Sequence, residues 1–311
     1  MNFNFFPKRE RLHQDRVMST NLILKADLDD RILRWASELA HEMERMLSAY
    51  RPDSFISQIN RNAGLAPVEC PPQVVDCVQE ALKIASLTEG RFDPTIGALT
   101  QRTYGFGTDR ERIPSPDEVR RKRGMVNYRD VEVHDRKIFL KKPGMALDLG
   151  GIGKGHAVSA LVAFLKERGA SRALISLGGE ICCYGKLWNI AIQHPRERRL
   201  LGLAVTKSEE TTLSTSGDYE RFIKHREHHH ILDPQTGSQN HFYAGVTLAA
   251  PGVRGGVVDA QATAFFNMPE EAVHAACEKS KIGALLIDHH LNLRINKNFH
   301  EPFEKVEFFN V

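Results

Sequence analysis

Six strand-like runs, at residues 172–177, 188–193, 201–206, 228–232, 243–249 and 284–288, constrain this fold more than any other feature. The first five follow one another with no helical period between them. Parallel neighbours in a sheet need a crossover of about a dozen residues or more, normally a helix. Simple βαβ repetition is therefore excluded, and the pattern predicts an α+β protein with mixed and antiparallel sheets. The helices fall elsewhere. Ile32, Ala36, Leu39, Ala40, Met43 and Leu47 recur at helical spacing, and Val74, Val75, Val78, Leu82 and Ala85 mark a second helix ending near Gly90. Residues 107–130 carry Pro114 and Pro116 among many charges and read as a surface excursion.

One loop concentrates chemistry. Asp148-Leu149-Gly150-Gly151-Ile152-Gly153-Lys154-Gly155 follows the apolar run 145–149 and precedes Ala157, Val158, Leu161, Val162 and Leu165 at helical spacing. The expected local structure is strand, glycine loop, helix. Such a loop turns backbone N–H groups toward an anion, and the helix N-terminus adds partial positive charge. Lys154 brings a full charge to the same place, and Asp148 is placed to hold a divalent cation or to orient the loop. The familiar phosphate loops do not match. A Walker A loop requires Ser or Thr where Gly155 stands, and a dinucleotide fingerprint built on Gly151 and Gly153 requires glycine where His156 stands. The competing explanation is a tight turn whose glycines only let strand and helix pack closely.

Composition narrows the remaining classes. A chain of 311 residues, 41% hydrophobic, can bury a large core as one big domain or two intimate ones. Its net charge of +3 argues against nucleic acid, and the basic runs 120–123 and 196–199 read as solvated loops or helix faces. Cysteines 70, 77, 182, 183 and 277 show no metal-ligand spacing, and their odd number suits a reducing compartment. No apolar run approaches the ~20 residues of a membrane span. Lys8, Arg9, Arg11 and Arg16 are not followed by the apolar core of a signal peptide, and no cysteine precedes Cys70. The expected location is the cytoplasm.

Three further patches carry possible chemistry. If Asp259-Ala260-Gln261-Ala262-Thr263 is helical, Asp259 and Thr263 share one face and offer a carboxylate and a hydroxyl to one cation. All-oxygen ligands suit Mg²⁺, which binds through one or two carboxylates plus substrate phosphates. The plainer alternative is an acid near a helix N-terminus and a Thr bonded back to its own helix. In His228-His229-His230-Ile231-Leu232-Asp233-Pro234-Gln235-Thr236-Gly237, the last five residues are turn chemistry. The histidines suggest a general acid or base, zinc, or an exposed polar strand. Ser214-Thr215-Ser216-Gly217-Asp218-Tyr219-Glu220-Arg221 suits a tight loop near a ligand, with Asp218 and Arg221 able to pair with each other. Gly90-Arg91-Phe92-Asp93-Pro94-Thr95-Ile96-Gly97 reads as a turn or helix entry.

Taken in order, these patches resemble the ApbE family of FAD:protein FMN transferases. The matching segments are 18–20, 54–60, 92–97, 104–107, 148–155, 176–180, 215–221, 230–237 and 259–263. The resemblance implies an α+β fold related to the tunnelling fold, with residues 1–17 an N-terminal extension and 18–311 a single domain. It implies binding of FAD and Mg²⁺, cleavage of the FAD pyrophosphate, and attachment of FMN through a phosphoester to a Thr or Ser of a target flavoprotein, with release of AMP. By position, the metal falls to Asp259, Thr263 and the Gly151 carbonyl. His230 lies near the reacting phosphate as acid or base, with Asp259 the competing base. Lys154 and the loop positions Asp148, Gly150 and Gly153 face the pyrophosphate. Flavin and adenine contacts fall to Met18, Ser19, Thr20, Ser57, Asn60, Tyr104, Gly178, Gly179, Glu180, Thr215, Ser216, Gly217 and Tyr219. Phe55, Ser19, Ser159 and His156 depart from the usual pattern, where an acid, a glycine, an aspartate and an aromatic are common. Two other readings stay open at this point: a Mg²⁺-dependent FAD pyrophosphatase giving FMN and AMP, and a non-catalytic FAD-binding protein.

Overall fold

The computed structural model describes residues 9–252 and 255–309. Strands β1 (Arg11–Val17) and β2 (Thr20–Ala26) form a hairpin and lead into helices α1 (Asp30–Leu47) and α2 (Phe55–Arg61). A two-residue strand β3 (Val68–Glu69), helix α3 (Pro72–Leu87), the single turn α4 (Gly97–Thr100) and helix α5 (Pro116–Arg123) follow. Next come the hairpin β4 (Val131–His134) and β5 (Lys137–Leu140), then helix α6 (Gly153–Glu167). Five strands follow without a helix of more than one turn: β6 (Ala173–Leu177), β7 (Glu180–Tyr184), β8 (Asn189–Gln193), β9 (Leu200–Thr206) and β10 (Thr211–Gly217). After β11 (Gly245–Pro251) come α7 (Gly255–Phe266), α8 (Glu270–Ser280), β12 (Gly283–Ile287), β13 (Leu293–Ile295) and β14 (Phe303–Phe308).

An eight-stranded antiparallel sheet, in the order β1-β2-β6-β7-β10-β11-β12-β13, organises these elements. This is the α+β arrangement that uninterrupted strand runs predict. Residues 11–17, expected in an N-terminal extension, supply its first edge strand. Leu33, Ala36, Ala40, Met43 and Leu47 bury one stripe of α1, and Ala157, Val158, Leu161 and Leu165 bury one stripe of α6. Both stripes close on the sheet face that presents Leu22, Leu24, Ile175, Val246 and Leu248. On the other face a three-stranded sheet, β14-β9-β8, packs through Trp188, Ile190, Leu201 and Phe303 against Leu285 and Ile287. Being covered on both faces, β12 is buried at every position. Helix α7 is buried almost throughout, because it lies beneath the sheet and also packs on α3 and α6.

Two expected strands are absent. Residues 228–232 form the end of a 3₁₀ turn and extended chain, paired only by the bridges Phe222–His229 and Leu232–Gln239. Residues 145–149 are extended and buried, yet their ladder is one bridge, Ile96–Ala146. All five cysteines are buried and unpaired. No helix among the described residues is long and apolar enough to cross a membrane.

Candidate active site

A cleft of 350 Å³ opens where the glycine loop, the β1–β2 turn, the end of β10 and α7 converge. It gathers Met18, Ser19, Thr20, Asp148, Gly150, Gly151, Gly153, Lys154, Gly178, Gly179, Thr215, Ser216, Gly217, His230, Asp259 and Thr263. A larger pocket of 450 Å³ on the other side of α6 holds His156 and Ser159 but neither the glycine loop nor the α7 carboxylate. The cleft is therefore the candidate site. The departures His156 and Ser159 serve packing: His156 Nδ1 meets Glu80 Oε2 at 2.8 Å, and Ser159 Oγ accepts the Gly255 N–H at 2.7 Å.

Asp148 orients the glycine loop. Its Oδ1 accepts the Gly150 N–H at 2.9 Å, and its Oδ2 accepts the Thr100 hydroxyl at 2.6 Å. Helix α6 then begins at Gly153 with no side-chain cap from the preceding residue. Its first turn is satisfied from another helix: the Gly155 N–H donates to Asp259 Oδ2 at 2.9 Å. This contact requires the two helices to touch by backbone. A Cβ on Gly155 would stand 2.3 Å from the Gly255 carbonyl oxygen and 2.7 Å from Asp259 Cβ. Gly155→Ala should therefore lower stability by about 1–3 kcal/mol through overpacking and displace Asp259. Thermal melting and FAD titration of the variant measure both effects.

Lys154 links two buried carboxylates. Its Nζ donates to Glu180 Oε1 at 3.1 Å and lies 3.9 Å from Asp259 Oδ2. Burial opposes the lysine charge, but Asp259 and Glu180 hold its proton above the usual lysine value. Burial also pushes both carboxyls up, Glu180 further through repulsion by Asp259. Glu180 Oε2 is buried without a hydrogen-bond partner. Asp259 and Thr263 lie one turn apart on α7, and Gly151 rests on Thr263 so closely that a Cβ would stand 2.8 Å from its Oγ1. Among the described residues, no three His, Cys, Asp or Glu side chains are grouped to hold a metal. A carboxylate, a hydroxyl and a backbone carbonyl beside an orphaned buried carboxylate oxygen nonetheless form a hard, all-oxygen donor set that fits Mg²⁺ completed by substrate phosphate.

His230 faces the cleft in a defined tautomer. Its Nδ1 lies 3.1 Å from the Arg221 carbonyl oxygen, which can only accept, so Nδ1 carries the hydrogen and Nε2 keeps its lone pair. Burial lowers its pKa to about 3, which keeps the imidazole neutral. His229 points elsewhere: it is buried, its Nε2 lies 3.0 Å from the Asn240 carbonyl, and its ring packs edge-on to Phe266. The β1–β2 turn places Met18 and Ser19 at φ +52° and +63°, left-handed values that favour glycine and cost non-glycine residues roughly 1–2 kcal/mol each. That strain sits on the cleft wall.

Five expected contact residues lie outside the lining. Asn60 clamps the chain behind the glycine loop: its Nδ2 donates to the Leu147 carbonyl at 2.9 Å, and its Oδ1 accepts the Leu147 N–H at 2.6 Å. Ser57 donates to the Ala49 carbonyl at 3.3 Å. Tyr104 stacks on Phe106 with centroids 5.3 Å apart, and Phe106 is the ring that reaches the cleft. Tyr219 packs against Gly217, and Glu180 lies beneath Lys154. Tyr50 and Arg221 line the cleft mouth, where the Arg221 guanidinium donates to the Tyr50 hydroxyl at 3.2 Å. No local sequence signal marks Tyr50. The pairing of Asp218 with Arg221 that their spacing allows does not form: Asp218 binds Arg196 through two hydrogen bonds of 2.7 and 2.8 Å.

The geometry is that of an α+β protein whose cleft sets a helix-N-terminal glycine loop and a buried lysine opposite an oxygen-donor helix face, an arrangement suited to a phosphorylated ligand. The sequence profile of the ApbE family matches residues 18–286, and the chain belongs to that family. A FAD:protein FMN transferase of Salmonella typhimurium is 32% identical over 220 residues, 66% of this chain and 63% of the relative. One from Treponema pallidum is 32% identical over 256 residues, 75% of this chain and 70% of the relative. The chain thus spans slightly under two thirds of the Salmonella protein's length. Among solved structures, the flavin transferase ApbE of Vibrio cholerae superposes with a TM-score of 0.82 at 25% identity, covering 96% of this chain and all of that one. The ApbE protein of Thermotoga maritima superposes at 0.87 with 24% identity, over 96% of this chain, and supports the fold.

Proposed function

We propose that this chain is a Mg²⁺-dependent FAD:protein FMN transferase. The observation that carries this reading is the convergence of Asp259, Thr263 and Gly151 on the cleft that also holds Lys154 and the glycine loop. The relatives' names supply the substrate and the reaction class. Asp259, Thr263 and the Gly151 carbonyl would hold Mg²⁺, which supplies charge neutralisation to the pyrophosphate and the departing phosphate. Lys154 and the loop amides fix the diphosphate, since phosphoryl transfer asks mainly for positioning and electrostatic stabilisation. His230 Nε2 takes the proton of the acceptor Thr or Ser hydroxyl. Its oxygen bonds to the FMN phosphorus as the bond to the AMP phosphate breaks, and AMP leaves. Unpaired buried cysteines suit a reducing compartment, and we place the acceptor in the cytoplasm.

Mass spectrometry tests the reading after incubation with FAD, Mg²⁺ and a flavoprotein domain bearing a candidate Thr. An acceptor mass gain of one FMN, lost in EDTA, is expected. Free FMN and AMP without an adduct would make the protein a pyrophosphatase, and intact bound FAD would leave only a binding module. His230→Ala should slow transfer by about 10²–10⁴-fold while FAD still binds. Because burial already keeps the free imidazole neutral, His230 should contribute no inflection to kcat/KM near the ordinary histidine value of about 6.5. Such an inflection, abolished in His230→Ala, would contradict the lowering of this imidazole's pKa by burial.

A further inference from the structure

Two basic segments are anchored in the apolar cluster behind one wall of the cleft. In α5, Arg121, Lys122 and Arg123 are exposed, and Lys224 and Arg226 are exposed on the loop between β10 and β11. None of these five meets a carboxylate within ion-pair distance among the described residues, whereas Arg120 of α5 is neutralised by Asp117, and Arg112, just before the helix, by Glu118. The two segments share a footing. Val119 of α5 and Ile223 of the loop enter one apolar cluster with Phe106 and Leu232, and these last two line the cleft. The cations therefore stand on the outer side of the wall whose inner side faces the substrate. Arg221, on the same loop, reaches the mouth itself. Phe222 is 38% exposed in their midst, with the Arg226 guanidinium 6.0 Å from its ring centroid.

We propose that this collar docks an acidic segment of the acceptor polypeptide and so delivers its Thr or Ser to His230. The inference rests on the transferase reading only for the need of a polypeptide partner. An exposed aromatic with a guanidinium over its ring and a further exposed cation on its loop has the composition of a protein interface anchor, and complementary charge raises encounter rate and fixes orientation. Glu220 and Glu227 bracket the cations of this loop, one before Arg221 and one after Arg226. They would repel a continuous phosphate backbone or an anionic lipid sheet, but leave room for discrete carboxylates to pair one by one.

Two labelled peptides test this by fluorescence anisotropy on the protein loaded with FAD and Mg²⁺. Both carry one central Thr. One is flanked by Asp and Glu, the other by Asn and Gln. The acidic peptide should bind about tenfold more tightly, and its advantage should shrink as salt is raised. Combined Arg121→Glu, Lys122→Glu and Arg226→Glu should erase the preference while flavin fluorescence reports unchanged FAD affinity. The corresponding glutamine substitutions should erase part of it. Equal binding of the two peptides, or a preference that survives charge reversal, would overturn the proposal. So would tighter binding of duplex DNA or phosphatidylserine vesicles than of the acidic peptide, which would reassign the collar. Failure of wild type to bind FAD would instead strike the transferase reading, so the two failures are separable.

Discussion

Asp259→Asn and Asp259→Ala should both abolish FMN transfer, by at least about 1,000-fold, since loss of metal-held charge stabilisation is worth several kcal/mol and each 1.4 kcal/mol is tenfold. Their stabilities should differ. Asp259 Oδ2 accepts the Gly155 N–H at 2.9 Å and so caps the first turn of α6, besides facing Lys154. Asparagine keeps an acceptor for that N–H, whereas alanine removes it at about 1 kcal/mol, the ordinary cost of a lost N-cap. Burial and the nearby Glu180 charge make the native carboxylate costly, so removing its charge partly relieves the site. The expected pattern is a melting temperature near wild type for Asn, a lower one for Ala, and equally inactive proteins. Titration calorimetry with Mg²⁺ and FAD should show that both lose the metal-dependent part of the FAD affinity. Retained Mg²⁺ dependence in Asp259→Asn would remove this carboxylate from the ligand set.

What the sequence made legible was local. Several strand positions could be read as strand-like runs, such as 172–177, within which β6 is buried at every second position. The glycine loop and the Asp259–Thr263 face could be read because all their parts lie within a few residues of each other. The failures have a common physical origin in distant partners. Residues 228–232 look like a strand by composition, but no neighbouring strand accepts them. Their backbone and side chains bond instead to the Arg221 carbonyl and to Gln239. Residues 145–149 are apolar because they are buried, and their polar groups are met by Asn60, 87 positions away from Leu147. Tyr104 was read as a contact because it sits in a matching segment, yet residues 104 and 106 stack, and the second of them takes the cleft position. Charge pairing is the least legible of all, since any nearby ion satisfies a pattern. Asp218 and Arg221 are three apart, but the carboxylate went to Arg196.

That pairing carries the second large prediction. Asp218 is 1% exposed and receives both guanidinium hydrogen bonds of Arg196, with His289 Nδ1 3.7 Å away. Arg196 belongs to the connection between β8 and β9 in the outer sheet, while Asp218 follows directly on Gly217 of the cleft. The pair therefore bolts the outer sheet to the site loop. Arg196→Ala leaves a buried carboxylate with most of its compensation gone, which costs about 3–5 kcal/mol. Removing both charges, as in Arg196→Leu with Asp218→Asn, should cost much less, because the expense lies in the unpaired ion rather than in the missing pair. A double-mutant cycle by urea denaturation should return a coupling energy well above the ~1 kcal/mol of exposed pairs. The functional consequence runs through geometry. The loop after Asp218 carries the Arg221 carbonyl that fixes the His230 tautomer. Arg196→Ala should thus lower kcat as well as raise the KM for FAD, and the leucine–asparagine pair should restore stability before it restores kcat. Equal recovery of both would assign the pair to folding alone.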